Sequence, residues 1–325
     1  MREELTEAYV REVWERLPGH VKPTTFHSTF LLSKALAAEV VLASETLQIT
    51  GSFKFRAAYN LLSSVPNEDV ITISSGNFGQ AVAYSCMLLK KRCTVVMPST
   101  SSKSKQAAIK AYGGEVELID VGTTSRQERI TQLREERPAA FFAPPYDHYR
   151  VVAGNSTLGK EVIEKLHSRQ DEGARLDYIV CPIGGGGLIS GIVTARDILA
   201  PEIEVIGAEP LLGNDAAQSL REGRLVSLDG EPQTMADGTR TISVGNLNWE
   251  IIRDGLKRII EVPEEKIAEG LRTLYAYANL KVEPTGALSA GAVLMQPEIF
   301  KGKRVCCIVS GGNVDPETYV NVLQG

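Results

Sequence analysis

Between Tyr178 and Leu199 the chain reads YIVCPIGGGGLISGIVTARDIL. A short β-branched run ends in four consecutive glycines, after which apolar residues return at helical spacing. A strand that stops on small residues and gives way to a helix is the unit from which mainly parallel sheets are assembled. The same succession recurs around Val70 to Ser74, Cys93 to Met97, Glu115 to Ile119, Val205 to Ala208 and Arg304 to Val309. Several of these runs end in Gly, Ser or Asn before a helical stretch resumes. The fold class that follows is α/β, with open, mainly parallel sheets flanked by helices. In such sheets ligands sit beyond the carboxyl ends of the strands.

At 325 residues the chain is long for one ordinary domain. The stretch from Asp69 to Asp147 holds three closely spaced strand–helix units, and Pro144-Pro145 near its exit suits a connector. We therefore expect a small domain over 69–147 and a larger, discontinuous domain over 1–68 and 148–325. Hydrophobic residues at 43% and charged residues at 23% exclude a disordered or fibrous class. A formal net charge of −5, with no basic stripe, argues against a nucleic-acid partner. Met1 to Leu17 places Leu5, Tyr9, Val13, Trp14 and Leu17 among charges, which predicts an amphipathic helix and lacks the apolar core of a signal peptide. No apolar run approaches the ~20 residues needed to span a bilayer, so no membrane partner is expected. Five cysteines, an odd number without C-x-x-C spacing, point to neither a disulfide framework nor a zinc site. A cytoplasmic enzyme is the expected class.

The chemistry-bearing segments fall at strand ends. Gly184 to Gly187, followed by Leu188 and a helix, exposes bare N–H groups in the arrangement that binds phosphate. A G-x-G-x-x-G dinucleotide motif fails here, because Ser190 stands where the third glycine would fall counting from Gly185. No Gly-Lys-Ser/Thr follows, which excludes the P-loop. Thr50-Gly51-Ser52-Phe53-Lys54-Phe55-Arg56 precedes a helix, with Ser52 as a good N-cap and Lys54 in the first turn. A lysine near the positive end of a helix dipole should have a lowered pKa, although a solvated surface lysine also fits these residues alone. Ser74-Ser75-Gly76-Asn77-Phe78-Gly79-Gln80, between a strand and a helix, could cradle a carboxylate or be a plain turn. Ser310-Gly311-Gly312-Asn313 puts a hydroxyl at a strand end, where it could bond an aromatic nitrogen. Glu209-Pro210-Leu211-Leu212-Gly213-Asn214-Asp215 offers hard oxygen ligands for Mg²⁺ or Ca²⁺, a solvated acidic loop being the plainer alternative.

In content and order these five segments resemble the fold-type II pyridoxal-phosphate (PLP) enzymes, with the tryptophan synthase β-like two-domain fold. The resemblance runs from about Thr24 to Asp315 and is most pronounced to the serine/threonine dehydratases and serine racemase. It implies that Lys54 is the Schiff-base lysine, that Asn77 bonds the ring hydroxyl, that Gly184, Gly185, Gly186, Gly187 and Leu188 bind the phosphate, and that Ser310 faces the pyridine nitrogen. It further implies that Gly238, after Asp237, lies beside the ring and Glu283 behind it, and that Ser74, Ser75, Gly76 and Asn77 hold the substrate carboxylate. Glu209, Asp215 and the carbonyl of Gly213 look like the racemase-type site for a divalent cation, and Arg126 is similar to an arginine of the racemase interdomain network. A homodimer is implied as well. Two departures stand out. Phe78 occupies a position where relatives commonly carry histidine, and Thr239 to Asn248 is one residue longer than the racemase segment. The chain also ends soon after the Ser310 motif, without the regulatory domain of biosynthetic threonine dehydratases, so feedback control by isoleucine is not expected.

The expected reaction on a small amino-acid substrate starts with Lys54 removing the α-proton as general base. The cofactor ring takes up the electron pair. A neutral partner such as Ser310 favours loss of the β-hydroxyl, giving a 2-oxo acid and ammonia. Serine racemisation is the alternative, with Ser75 as the acid on the opposite face. A β-replacement synthase of the cysteine-synthase kind would instead need an activated substrate and a thiol. A cofactor-binding protein without catalysis is disfavoured by Lys54, Ser75, the glycine loop and Ser310 together.

Overall fold

A computed structural model of the chain describes residues 2–74, 76–120, 122, 126–167 and 175–325. Its strands are β1 (Thr25–Ser28), β2 (Glu39–Ser44), β3 (Asp69–Ile73), β4 (Arg92–Pro98), β5 (Glu115–Ile119), β6 (Phe141–Phe142), β7 (Tyr178–Pro182), β8 (Glu204–Pro210), β9 (Ile259–Val262) and β10 (Arg304–Val309). The order β1-β2-β10-β7-β8-β9 makes a six-stranded sheet, parallel throughout except for β1 against β2. The order β5-β4-β3-β6 makes a second, all-parallel sheet drawn from residues 69–142. All six runs expected as strands are strands. The sequence reading did not pick out β1, β2, β6 or β9, which are short, edge-placed or set in longer apolar surroundings.

The helices are α1 (Glu7–Arg16), α2 (Phe30–Leu36), α3 (Lys54–Ser63), α4 (Asn77–Leu89), α5 (Lys103–Ala111), α6 (Arg126–Glu136), α7 (Tyr149–Leu166), α8 (Gly187–Leu199), α9 (Asp215–Glu222), α10 (Asn246–Gly255), α11 (Glu264–Ala278), α12 (Pro284–Met295), α13 (Pro297–Phe300) and α14 (Pro316–Gln324). The amphipathic N-terminal helix forms as α1, capped by the Thr6 hydroxyl and burying Val10, Val13 and Trp14.

Period-two alternation shows why the large sheet needs helices on both faces. Val41, Ala43, Ile179, Cys181, Cys306 and Ile308 join one core, with residues of α1, α3, α7, α8 and α10. Their neighbours Val40, Leu42, Val180, Val305 and Cys307 join the other, under α2, α11 and α12. The first core continues through α4 to Val70 and Val95 of the small sheet, so both sheets rest on one apolar mass. Close helix contact positions the site: a Cβ at Gly154 of α7 would lie 2.6 Å from the carbonyl oxygen of Arg56, so α7 can lie against α3 only as glycine. The five cysteines are buried, unpaired thiols. Among the described residues no helix is long and apolar enough to cross a membrane.

Candidate active site

A cavity opens beyond the carboxyl ends of β3, β7 and β10, with Lys54, Asn77, Gly184, Glu283 and Ser310 in its wall. Lys54 opens α3, and its Nζ donates to the carbonyl of Pro145 at 3.1 Å. The rings of Phe53 and Phe78 stand 5.1 and 5.5 Å from that nitrogen. The side chain is open to the cavity, yet protein surrounds the amine, and this loss of water lowers its pKa to about 8, with the Glu283 charge opposing. The expected fall is present, but desolvation dominates where the sequence pointed to the helix dipole. Ser52 departs from expectation as well. The N-cap of α3 is Phe53, without a side-chain cap, and Ser52 instead bridges to Gly311 while its hydroxyl is buried without a partner among the described residues. That bridge ties the lysine segment to the Ser310 turn.

The helices α4 and α8 begin inside the segments read as loops. Asn77 is the first residue of α4, and its Nδ2 donates to Glu283 Oε1 at 2.6 Å while its Oδ1 accepts from Asn313 at 3.0 Å. The Ser74 hydroxyl accepts from the amides of Gly76 (3.1 Å) and Gly79 (3.0 Å), which fixes the turn into α4. Ser75 lies outside the described residues. At Gly76 a Cβ would fall 2.1 Å from Lys105 Cδ, so glycine lets that lysine pass beneath the turn. Gly184 to Gly186 link β7 to α8, and Gly186 takes the left-handed φ of +88°. The carbonyl of Gly185 is held by Asn248 Nδ2 (2.7 Å) and the Gly245 amide (3.1 Å). The amides of the first helical turn lack intrahelical acceptors, as at any helix start, and border the cavity. Gly238 donates its amide to Thr285 Oγ1 at 3.0 Å.

Lys105 of α5 was not singled out from the sequence; nothing in its local pattern separates it from Lys103 and Lys110. Its ammonium lies 2.6 Å from Asp237 and 3.7 Å from Glu283. Burial works against that charge, but the two carboxylates outweigh it and raise the pKa. Burial also lifts Glu283 to about 7, with Lys105 opposing.

The residues expected to hold a cation fall at the end of β8 (Glu209), in the turn after it (Gly213) and at the start of α9 (Asp215). Both Glu209 and Asp215 are buried. Glu209 accepts from the amides of Ala216 (3.0 Å) and Ala217 (2.9 Å), and Asp215 from Val244 (2.8 Å). Burial, then the charge of Asp215, pushes Glu209 well above the carboxylate range, and burial lifts Asp215 to about 7. Among the described residues no group of three or more His, Cys, Asp or Glu side chains is placed to hold a metal, so a cation here would need backbone carbonyls such as that of Gly213. Arg126 opens α6, but its side chain lies outside the described part of the structure.

The donors present fit PLP. Ser310 Oγ is buried at the end of β10 without a partner among the described residues, the glycine loop presents amides at a helix start, and Lys54 offers an enclosed amine. Residues 17–311 match the family described as "Pyridoxal-phosphate dependent enzyme", and the chain belongs to that family. The fold is that of the fold-type II PLP enzymes, and the protein is a PLP-dependent enzyme. The chain is 38% identical to a serine racemase of Schizosaccharomyces pombe over 95% of this chain and 94% of the relative. It is 37% identical to an L-threo-3-hydroxyaspartate ammonia-lyase of Pseudomonas sp, over 96% of each chain. The crystal structure of a threonine deaminase from T.th. superposes with a TM-score of 0.88 at 35% identity, covering 95% of this chain and 99% of that one.

Proposed function

We propose that the protein is a dehydratase, or ammonia-lyase, that converts a β-hydroxy amino acid to a 2-oxo acid and ammonia. The observation that carries this reading is an enclosed amine of lowered pKa facing the same cavity as a neutral hydroxyl, Ser310. When bound, PLP supplies an electron sink for the pair left at Cα. Lys54 would hold it through Nζ, the amides from Gly184 to Leu188 its phosphate, Asn77 its ring hydroxyl and Ser310 its ring nitrogen, with Gly238 and Glu283 flanking the ring. The turn from Ser74 to Asn77, which leads into α4, would take the substrate carboxylate, with the helix dipole behind it. With a pKa of about 8, the Lys54 amine is partly neutral near physiological pH and can accept the α-proton. The wall of Phe53 and Phe78 limits water around it.

Serine racemisation is the second reading, favoured by the resemblance to the fission-yeast racemase, with Ser75 as the opposing acid. Incubating the PLP-loaded protein with L-serine, L-threonine and L-threo-3-hydroxyaspartate, and following both 2-oxo acid and chirality, tests the two together. A 2-oxo acid from at least one of them is expected. Neither 2-oxo acid nor D-amino acid would defeat both readings, and product only from O-acetylserine with a thiol would indicate a β-replacement synthase.

We further propose that residues 69–147 form a small domain, supported by the second sheet lying within that span, and that the enzyme is a cytoplasmic homodimer. For Glu209, Asp215 and the Gly213 carbonyl we propose a bound Mg²⁺ or Ca²⁺, supported by two buried carboxylates that accept hydrogen bonds from backbone amides. Saturating cation stabilises by about 2.7 kcal/mol at 100 Kd, which at this size shifts the melting temperature on the order of 5 °C. Chelation should therefore lower Tm by that order and either ion should restore it, while Glu209→Gln should abolish the response. Indifference of the wild type to both treatments would count against the site.

A further inference from the structure

Among the described residues the cavity wall carries three cationic side chains, Lys54, Lys105 and Arg240, against two carboxylates, Asp237 and Glu283. Lys105 is engaged with both carboxylates. Lys54 is committed to the reacting centre. Arg240 forms no ion pair among the described residues. Its Nε and Nη2 both donate to the carbonyl of Thr234, at 2.8 and 2.6 Å, which fixes the guanidinium and leaves Nη1 without a partner among the described residues. Thr234 is itself buried and its hydroxyl donates to Glu264 at 2.6 Å, so the carbonyl that holds Arg240 belongs to a packed, hydrogen-bonded residue. Next to it, Thr241 Oγ1 is buried without a hydrogen-bond partner among the described residues, in the same cavity wall.

The other two anions that the proposed reaction brings in already have places. The cofactor phosphate has the start of α8, and the α-carboxylate has the start of α4. A pre-oriented guanidinium and an unspent hydroxyl remain, which is the donor set for a third anion. Both lie just after Asp237 and Gly238, in the same stretch of the cavity wall.

We propose that Arg240, assisted by Thr241, is the specificity-determining group for a carboxylate on substrate Cβ, so that the enzyme prefers dicarboxylic β-hydroxy amino acids of the 3-hydroxyaspartate class. This rests on the cavity being the amino-acid site of the proposed dehydratase. Arg240 binds the side-chain carboxylate while the elimination proceeds at Cα and Cβ.

The test compares ligands that cannot lose water. L-aspartate and L-alanine are titrated against the PLP-loaded wild type, Arg240→Met and Arg240→Lys, with the cofactor absorbance and calorimetry as readouts. In the wild type aspartate should bind about tenfold or more tightly than alanine; Arg240→Met should erase most of that ratio and Arg240→Lys should keep part of it. The kcat/KM ratio of L-threo-3-hydroxyaspartate to L-serine should fall in parallel. Equal weakening of both ligands, or an unchanged ratio in Arg240→Met, overturns the assignment. So does loss of PLP with the ratio intact, which would place Arg240 on the cofactor phosphate. Serine turnover without an aspartate preference leaves the dehydratase standing and defeats this inference. An Arg240-dependent aspartate preference without any turnover does the reverse.

Discussion

Replacing Lys54 with alanine or methionine should reduce turnover by about 10⁴-fold or more, because one amine both holds the cofactor and serves as the base, and a positioned base alone is worth about 10²–10⁴. Lys54→Arg should not rescue it, since a guanidinium stays protonated at any working pH. The same substitution should leave the fold intact, and here the sign of the pKa shift is informative. Lys54 is lowered from 10.5 to about 8, so the folded state binds this proton less well than the unfolded chain. Below pH 8 its ammonium therefore weighs against folding, by at most about 2 to 3 kcal/mol given its opening to the cavity. That penalty fades between pH 8 and 10.5. Cofactor-free Lys54→Met should accordingly melt no lower than the cofactor-free wild type at pH 7, and its advantage should shrink above pH 8. A lower melting temperature at pH 7 would show that the amine stabilises its surroundings, and the lost activity could then be a loss of structure.

What could be read from the chain was whatever is local. Strands β3, β4, β5, β7, β8 and β10 announce themselves because each is a short β-branched run and, in several, the Gly, Ser or Asn that ends it is adjacent in sequence. The glycine loop and the Ser74 to Gln80 turn were legible for the same reason. Two-residue β6 carries no period at all. The cavity's polar frame was not legible, because its partners are distant: Lys105 meets Asp237 across 132 positions and Asn77 meets Glu283 across 206. Only the fold brings such groups together, so Lys105 looked like its helix neighbours and Arg240 like any loop arginine. Ser52 misled for a related reason. Serine before a helix is a good cap, but the pairing of Ser52 with Gly311, a tertiary contact, overrode the local preference.

The second large effect is expected two residues beyond Lys54. Arg56 is fully buried, and its guanidinium meets Glu45 at 2.8 Å and Glu161 at 2.7 Å while also donating to Thr24, Thr157 and the carbonyl of Lys22. Burial opposes that charge, but the two carboxylates outweigh it and raise its pKa. One side chain thus fastens α3 to the end of β2, to α7 and to the segment before β1. Arg56→Met would leave Glu45 fully buried beside a second carboxylate, and breaking such a cluster costs about 3–5 kcal/mol. The melting temperature should fall on the order of 10 °C. Arg56→Lys should fall less, keeping the charge but not the two-pronged geometry. Because α3 begins at Lys54, turnover by the still-folded fraction should drop as well, with kcat affected more than KM. The cause lies in the stranded carboxylate, which a second substitution can isolate. Arg56→Met with Glu45→Met removes the buried charge on both sides, and Glu161, at 23% exposure, can turn to water. The double variant should therefore recover part of the stability that the single one loses. If instead the two losses add, the buried ion pair is not what holds α3, and the packing of Gly154 against the Arg56 backbone must carry that role.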